Sequence, residues 1–231
     1  MIRPGAVVFD AYGTLFDVHS VAQLAERLFP AHGMTISSTW RDKQIEYTRL
    51  ISLSDPSPAG SRFYQSFWSL TRAALEYALE KLKLSFRDSD VEVLMGAYAQ
   101  LQAFPECRGV LETLARKGLP MAILSNGSPE MLSSAVESAG LAPYLPHLLS
   151  VDSVRQFKTS PLAYGLAIRT LGLPASNILF VSSNAWDVMG ASWYGYTTYW
   201  VNRAGLPFET IGLRPENHGS DLTGILPLVC G

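Results

Sequence analysis

The run Ala6-Val7-Val8-Phe9 ends in Asp10 and turns at once through Ala11-Tyr12-Gly13-Thr14-Leu15-Phe16. Four apolar residues leading into an acid, with a Gly-Thr turn behind, predict a buried parallel strand. Such a strand delivers a carboxylate to the carboxyl edge of a sheet, where open α/β sheets place their ligands. Asp10 is therefore a candidate catalytic group. The competing reading is a turn aspartate that only bonds the backbone of Gly13 or Thr14. For Asp10 alone the two stand even, and the rest of the chain has to decide between them.

The next hundred residues carry helical spacing and no strand pattern. Val21, Leu24, Ala25 and Leu28 make one stripe, closed by Pro30. A second helix is expected with Ser37 or Ser38 as its cap, which puts Arg41 in the first turn. The helix macrodipole disfavours a cation there, so Arg41 is a candidate for an external anion or a facing carboxylate; a solvated surface arginine is the plainer reading. Asp55-Pro56-Ser57-Pro58-Ala59-Gly60-Ser61 is a linker, since it cannot continue a helix. Two further apolar stripes follow, Leu75, Leu79 and Leu82, then Val91, Leu94, Met95 and Tyr98. From about residue 20 to 102 the chain reads as a helical insertion after the first strand of an α/β core.

The α/β pattern resumes with a helix over 106–117 and a strand over 119–124. That strand ends in Ser125-Asn126-Gly127-Ser128-Pro129-Glu130, where Ser128 can cap a helix with Pro129 at its first position. The free amides and polar side chains there suit an anion, or form an ordinary cap. A short strand over 147–151 leads to Lys158, just before a helix opened by Ser160 and Pro161 and carrying Tyr164. Another over 177–181 ends in Ser182-Ser183-Asn184-Ala185-Trp186-Asp187, and a last strand over 197–201 is expected to complete the core. The Gly/Pro-rich tail from Gly205 reads as loosely regular.

Composition narrows the partner. The 231 residues, 48% hydrophobic, suit one large domain or a core with a smaller insertion. A net charge of −2 shows no basic excess for nucleic acid or a membrane surface, so a small molecule is the default. Two cysteines, Cys107 and Cys230, make no disulfide framework and point to a reducing compartment. No signal-peptide core follows Met1, and no apolar run approaches the roughly 20 residues of a span, so a soluble cytoplasmic protein is expected. His19, His32, His147 and His218 lack the spacing of a zinc site. No Walker loop, G-x-G-x-x-G or G-x-S-x-G is present, which argues against common nucleotide binding and against an α/β-hydrolase serine enzyme.

Four strand ends bearing Asp10, then Ser125-Asn126, then Lys158, then Ser182-Ser183-Asn184 with Asp187 resemble the four motifs of the haloacid dehalogenase superfamily. Two departures separate the chain from that superfamily's magnesium phosphatases. Tyr12 stands where their general acid sits two residues after the nucleophile, and Ser182-Ser183 replaces the Gly-Asp that opens their metal-binding stretch. Mg²⁺ wants hard oxygen ligands, so no metal or other cofactor is expected. The stretches 9–20, 123–129 and 180–187 are instead similar to the L-2-haloacid dehalogenases.

That resemblance implies a Rossmann-like parallel-sheet core, residues 1–18 and 103–231, with a helical cap subdomain, residues 19–102. It implies that Asp10 displaces halide from a short 2-haloacid and that water then cleaves the aspartyl ester. Arg41, Asn126 and Trp186 would cradle the halide. Ser125 and the backbone at Ala11 and Tyr12 would hold the substrate carboxylate. Thr14 would orient Asp10, Lys158 would keep it ionised, and Asp187 with Ser182 and Asn184 would activate water, Tyr164 completing the polar shell. Phe67 and Trp68 are apolar wall candidates, although an aromatic pair on a helix is more often core. A homodimer is implied as well. The alternatives are a phosphatase of small phosphate esters, opposed by Tyr12 and Ser183, and a catalytically silent anion-binding protein, which would not need a central carboxylate.

Overall fold

The computed structural model of the chain describes residues 4–18, 20–212, 214–215 and 217–230, the side chain of Cys230 excepted. His19 and the Cys230 thiol therefore lie outside the described residues, and the readings made of them stay with the sequence. Cys107 is buried and free.

The strands β1 (Ala6–Phe9), β2 (Met121–Ser125), β3 (His147–Ser150), β4 (Ile178–Ser182), β5 (Thr197–Val201) and β6 (Asn217–Gly219) form one sheet in the order β3-β2-β1-β4-β5-β6, with every pairing parallel. The order reverses direction at β1, so the crevice at its carboxyl end is the switch point where such sheets bind ligands. Side chains alternate across the two faces. Val7 and Phe9 join the larger apolar cluster, and Ala6 and Val8 join the smaller one. A strand buried on both faces has to be apolar throughout, which is why β1 reads as a continuous apolar run.

Between β1 and the next core helix, α5 (Cys107–Arg116), lie α1 (Ser20–Leu28), α2 (Gly33–Ser54), α3 (Phe67–Lys81) and α4 (Asp88–Ala99), without a strand among the described residues. The insertion shares the larger core of the sheet: Ile36, Trp40, Leu75 and Leu94 belong to the same buried cluster as Phe9 and Val181. The end of α2 and the connection that follows it, residues 55–66, lean on the segment that leads to Lys158. Gln156 Nε2 donates to Asp55 O at 2.7 Å, Phe157 N to Ser52 Oγ at 2.9 Å and Ser61 N to Arg155 O at 2.9 Å. The Tyr64 hydroxyl donates to Asp152 beside them.

The remaining helices are α6 (Pro129–Ser138), α7 (Pro161–Leu171), α8 (Ala185–Tyr194) and α9 (Leu226–Cys230). Ser128 and Ser160 cap α6 and α7 through their hydroxyls, each with proline in the first turn, as the sequence predicts.

Two expectations are corrected. Helix α2 begins at Gly33, not after Ser37 or Ser38. The Glu26 carboxylate, on α1, accepts from Ala31 N at 2.6 Å and Gly33 N at 2.8 Å, so the helix start is satisfied from a neighbouring element and no serine cap is needed. Arg41 consequently sits about two turns inside the helix, and the first-turn dipole argument for it fails. The second correction concerns the tail. β5 is not the last strand, because Asn217–Gly219 extends the sheet beyond it and α9 follows. A Cβ at Gly219 would collide with the Tyr199 hydroxyl, so this edge strand approaches β5 only because that residue is glycine.

Candidate active site

Asp10 leaves the end of β1 into a tight turn in which Ala11 O accepts from the amides of Thr14, Leu15 and Phe16. Gly13 holds φ +84° there, a conformation that costs glycine nothing. The turn directs the Asp10 carboxylate, 9% exposed, along the edge of the sheet. Its Oδ2 accepts from Thr14 Oγ1 at 3.0 Å and Asn184 Nδ2 at 3.0 Å, with Ser182 Oγ at 3.5 Å. Its Oδ1 accepts from Lys158 Nζ at 3.0 Å. The turn reading expected bonds to the backbone of Gly13 or Thr14, but the Thr14 bond comes from its hydroxyl, and Lys158, Ser182 and Asn184 from far along the chain converge on the same carboxylate, which favours a functional site.

Lys158 is buried, and its ammonium also donates to Asp187 Oδ2 at 2.9 Å. Burial pushes its pKa down, but the charges of Asp10 and Asp187 together outweigh burial and hold it above the ordinary lysine value. Asp187 lies in the first turn of α8, where the macrodipole favours an acid, and Tyr164 Oη donates to its Oδ1 at 2.9 Å. Burial raises the Asp187 pKa against the opposing pull of Lys158. Burial, with the Asp187 charge next, raises that of Tyr164, whose phenol is therefore neutral.

Asn184 and Asn126 tie this cluster to its surroundings. Asn184 Oδ1 accepts from Arg41 Nη2 at 3.1 Å, so one side chain joins Asp10 to the helical insertion. Asn126 Oδ1 accepts from Lys158 N at 2.9 Å, which leaves its NH₂ as the end available to a ligand. Ser125 Oγ accepts from Gly127 N at 3.1 Å and keeps its own proton to donate.

A cavity of about 20 Å³ lies over Asp10, with Tyr12, Arg41, Phe67, Ser125 and Asn126 on its walls and Asn184 and Trp186 closing it. The sequence-predicted residues thus separate into two layers. Those named for substrate and halide line the cavity, Ala11 excepted. Thr14, Lys158, Tyr164, Ser182 and Asp187 do not line it and are bonded to Asp10 or to one another. Phe67 lines the cavity from the start of α3, whereas Trp68 packs on the main core. Tyr12 is buried against Tyr98, ring centroids 5.4 Å apart, and burial followed by the charges around it keeps its phenol protonated.

Four residues were not anticipated. Ile45 and Thr48 line the cavity beside Arg41, and their i+4 and i+7 spacing on one helix face was the signal. Ser183 N donates to Thr14 Oγ1 at 2.8 Å. Arg203, after β5, donates to Thr14 O at 3.0 Å while paired with Glu106 at 2.6 Å, and no sequence motif announces it. Beyond Arg41, Asn184 and Trp186 opens a larger recess of about 420 Å³ that also reaches Arg203.

Among the described residues no cluster of three histidine, cysteine or acidic side chains is disposed to hold a metal ion, and no helix is long and apolar enough to cross a membrane.

Residues 4–195 match the family of haloacid dehalogenase-like hydrolases. The (S)-2-haloacid dehalogenase of Pseudomonas sp. (strain YL) is 43% identical over 222 residues, 96% of this chain and 93% of that protein. The crystal structure of the L-2-haloacid dehalogenase RSc1362 is 52% identical, covers 100% of this chain and 99% of its own, and superimposes with a TM-score of 0.95. The L-2-haloacid dehalogenase from Xanthobacter autotrophicus with chloropropionic acid covalently bound is 38% identical, with coverage of 100% and 99% and a TM-score of 0.87.

Proposed function

We propose a reaction from one established premise: the chain belongs to the haloacid dehalogenase-like hydrolases and, among them, to the L-2-haloacid dehalogenases. The reaction is hydrolytic dehalogenation of a short (S)-2-haloacid to the (R)-2-hydroxy acid and halide, without a metal. The observation that carries it is the Lys158 ammonium lying between Asp10 Oδ1 and Asp187 Oδ2. A single buried cation there offsets the negative charge gathered at the sheet edge, so an anionic substrate can approach a carboxylate nucleophile.

Both lone-pair directions of Asp10 Oδ2 are occupied by Thr14 and Asn184, while Oδ1 meets Lys158 alone among the described residues. Oδ1 is therefore the attacking atom. It forms a bond to C2 of the substrate from the face opposite the halogen, the C–halogen electron pair leaves with the halide, and the centre inverts. Halide is a weak base and needs no proton, which fits the protonated, buried Tyr12 in place of a general acid. The ion departs toward the Arg41 guanidinium, the Asn126 NH₂ and the Trp186 edge. Ser125, with the backbone at Ala11 and Tyr12, holds the substrate carboxylate.

Water then adds to Cγ of Asp10, and negative charge develops on Oδ2, into the donors from Thr14, Asn184 and Ser182. Asp187, made more basic by burial, takes the proton of that water, with Ser182 and Asn184 positioning it. Collapse expels the 2-hydroxy acid oxygen, which takes the proton back, and Asp10 returns. One water is consumed, and one halide and one proton are released. In this reading residues 1–18 and 103–231 form the catalytic core and residues 19–102 the cap, and the enzyme is a cytoplasmic homodimer.

The test is halide release from L- and D-2-chloropropionate with EDTA present, joined to a single turnover with excess enzyme in ¹⁸O-water. Release from the L-form alone, with label appearing in the peptide that carries Asp10, is expected. Loss of activity with EDTA, or label confined to the product after one turnover, overturns the reading.

A further inference from the structure

Next to the catalytic cavity lies a second one of about 20 Å³, lined by Ser37, Trp40, Arg41, Gln44 and Tyr98 with valine walls. Arg41 is the one residue that lines both. The rest of the partition is aromatic, with Tyr12 on the catalytic side stacked on Tyr98 on the other. Tyr98 is 4% exposed. Its hydroxyl faces Arg41 and Gln44, yet makes no hydrogen bond of ordinary geometry among the described residues. A buried hydroxyl of this kind costs stability unless something occupies the space in front of it.

The groups around that space select its occupant. Trp40 Nε1 is taken by Thr71 O at 2.7 Å, and one Gln44 Nε2 proton by Thr71 Oγ1 at 2.8 Å. What remains are donors: the Tyr98 and Ser37 hydroxyls, with the second amide proton of Gln44 and the guanidinium of Arg41 directed at the Tyr98 oxygen beside them. No carboxylate lines the chamber. The volume admits one water-sized occupant, and a halide ion is of that order.

We propose that this chamber is a second halide site, which holds the released ion behind Arg41 with the Tyr98 hydroxyl as a donor. The inference rests on the dehalogenation reading above. Displacement sends the halide away from Asp10 toward helix α2, and the hydrolytic step then needs that space for water. A site on the far edge of the same guanidinium lets the ion clear the cavity without losing its countercharge.

The experiment is bromide soaking of crystals, with anomalous diffraction collected at the bromine edge for the wild type, Tyr98→Phe and Ser37→Ala. The expected result is a peak in the catalytic cavity and one in the chamber, the latter lost in Tyr98→Phe and weakened in Ser37→Ala. In parallel, sodium bromide at constant ionic strength is titrated against turnover of L-2-chloropropionate. Loss of one hydrogen bond to an ion predicts roughly tenfold weaker bromide inhibition in Tyr98→Phe. A chamber without anomalous density, density unchanged in Tyr98→Phe, or density that appears only at soaking concentrations with identical inhibition curves overturns the proposal. If the chamber holds bromide but no haloacid is dehalogenated, the reading of the reaction fails and the ion site stands. If halide is released while the chamber stays without bromide, the second site alone fails.

Discussion

On the sheet side of the catalytic cavity, Asp10, Thr14, Lys158, Asn184 and Asp187 are bonded to one another at 2.9–3.0 Å or tied through a shared partner. Asp10, Thr14 and Asn184 come from a strand end or the turn after one, Lys158 from the loop before α7 and Asp187 from the first turn of α8. On the cap side, Arg41, Ile45, Thr48 and Phe67 reach in from α2 and α3, and among the described residues a single hydrogen bond joins the lining residues across the divide, Arg41 to Asn184. The first half is fixed by sheet register and by mutual charge. The second is placed by helix packing against the core and can be altered without unmaking the network below it. In the proposed reaction the bond-making groups therefore sit in the sheet half, and the cap half contributes to substrate fit.

The largest effect is expected from Asp10→Asn, which removes the proposed nucleophile while keeping the shape. Halide release should fall at least about 10⁴-fold, with the melting temperature close to wild type. Lys158→Met should follow. It leaves two buried carboxylates facing one another, at a stability cost of about 3–5 kcal/mol that calorimetry would show as a large fall in Tm. The pH dependence has a definite sign. Because the folded pKa of Lys158 is raised, its contribution is complete below the ordinary lysine range and is lost as pH climbs through the folded value. The Tm gap between Lys158→Met and wild type should hold through neutral pH and narrow on the alkaline side as the ammonium is lost.

Arg41→Lys probes the other half. It keeps the charge but loses the planar donor fork, and kcat/KM should fall by roughly 10–100-fold with Tm almost unchanged. If this variant destabilises the protein as much as Lys158→Met does, the distinction between the halves is wrong. The smallest effect is expected from Phe67→Leu, a size change on the cavity wall. Comparison of L-2-chlorobutyrate with L-2-chloropropionate should show a several-fold shift toward the longer acid, at less than about 1.5 kcal/mol of stability.

The same division explains what was legible before the structure. Asp10 and the Ser182–Asp187 stretch follow strands whose apolar runs are unmistakable, and Lys158 stands just before a helix opened by Ser160 and Pro161, so local pattern and the candidate site coincide there. Arg41 was singled out by a first-turn dipole argument that fails and then given a role by resemblance; its helix was placed wrongly because the start of α2 is satisfied by Glu26 on another helix, a contact that no window of local sequence contains. β6 was missed because Asn217–Gly219 is an edge strand without an apolar signal, held by register with β5 and by the missing side chain of Gly219. Arg203 escaped for the same reason: its link to Thr14 spans the chain and leaves no periodicity.

The seam between residues 52–64 and the segment before Lys158, from Ser52 and Phe157 to the Tyr64 contact with Asp152, ties the helical insertion to the loop that carries the buried ammonium. Across the cavity from it, Arg41 meets Asn184 beside the larger recess. A substitution along the seam should therefore be felt at Lys158 for every substrate alike, whereas one beside the recess should alter which molecules fit.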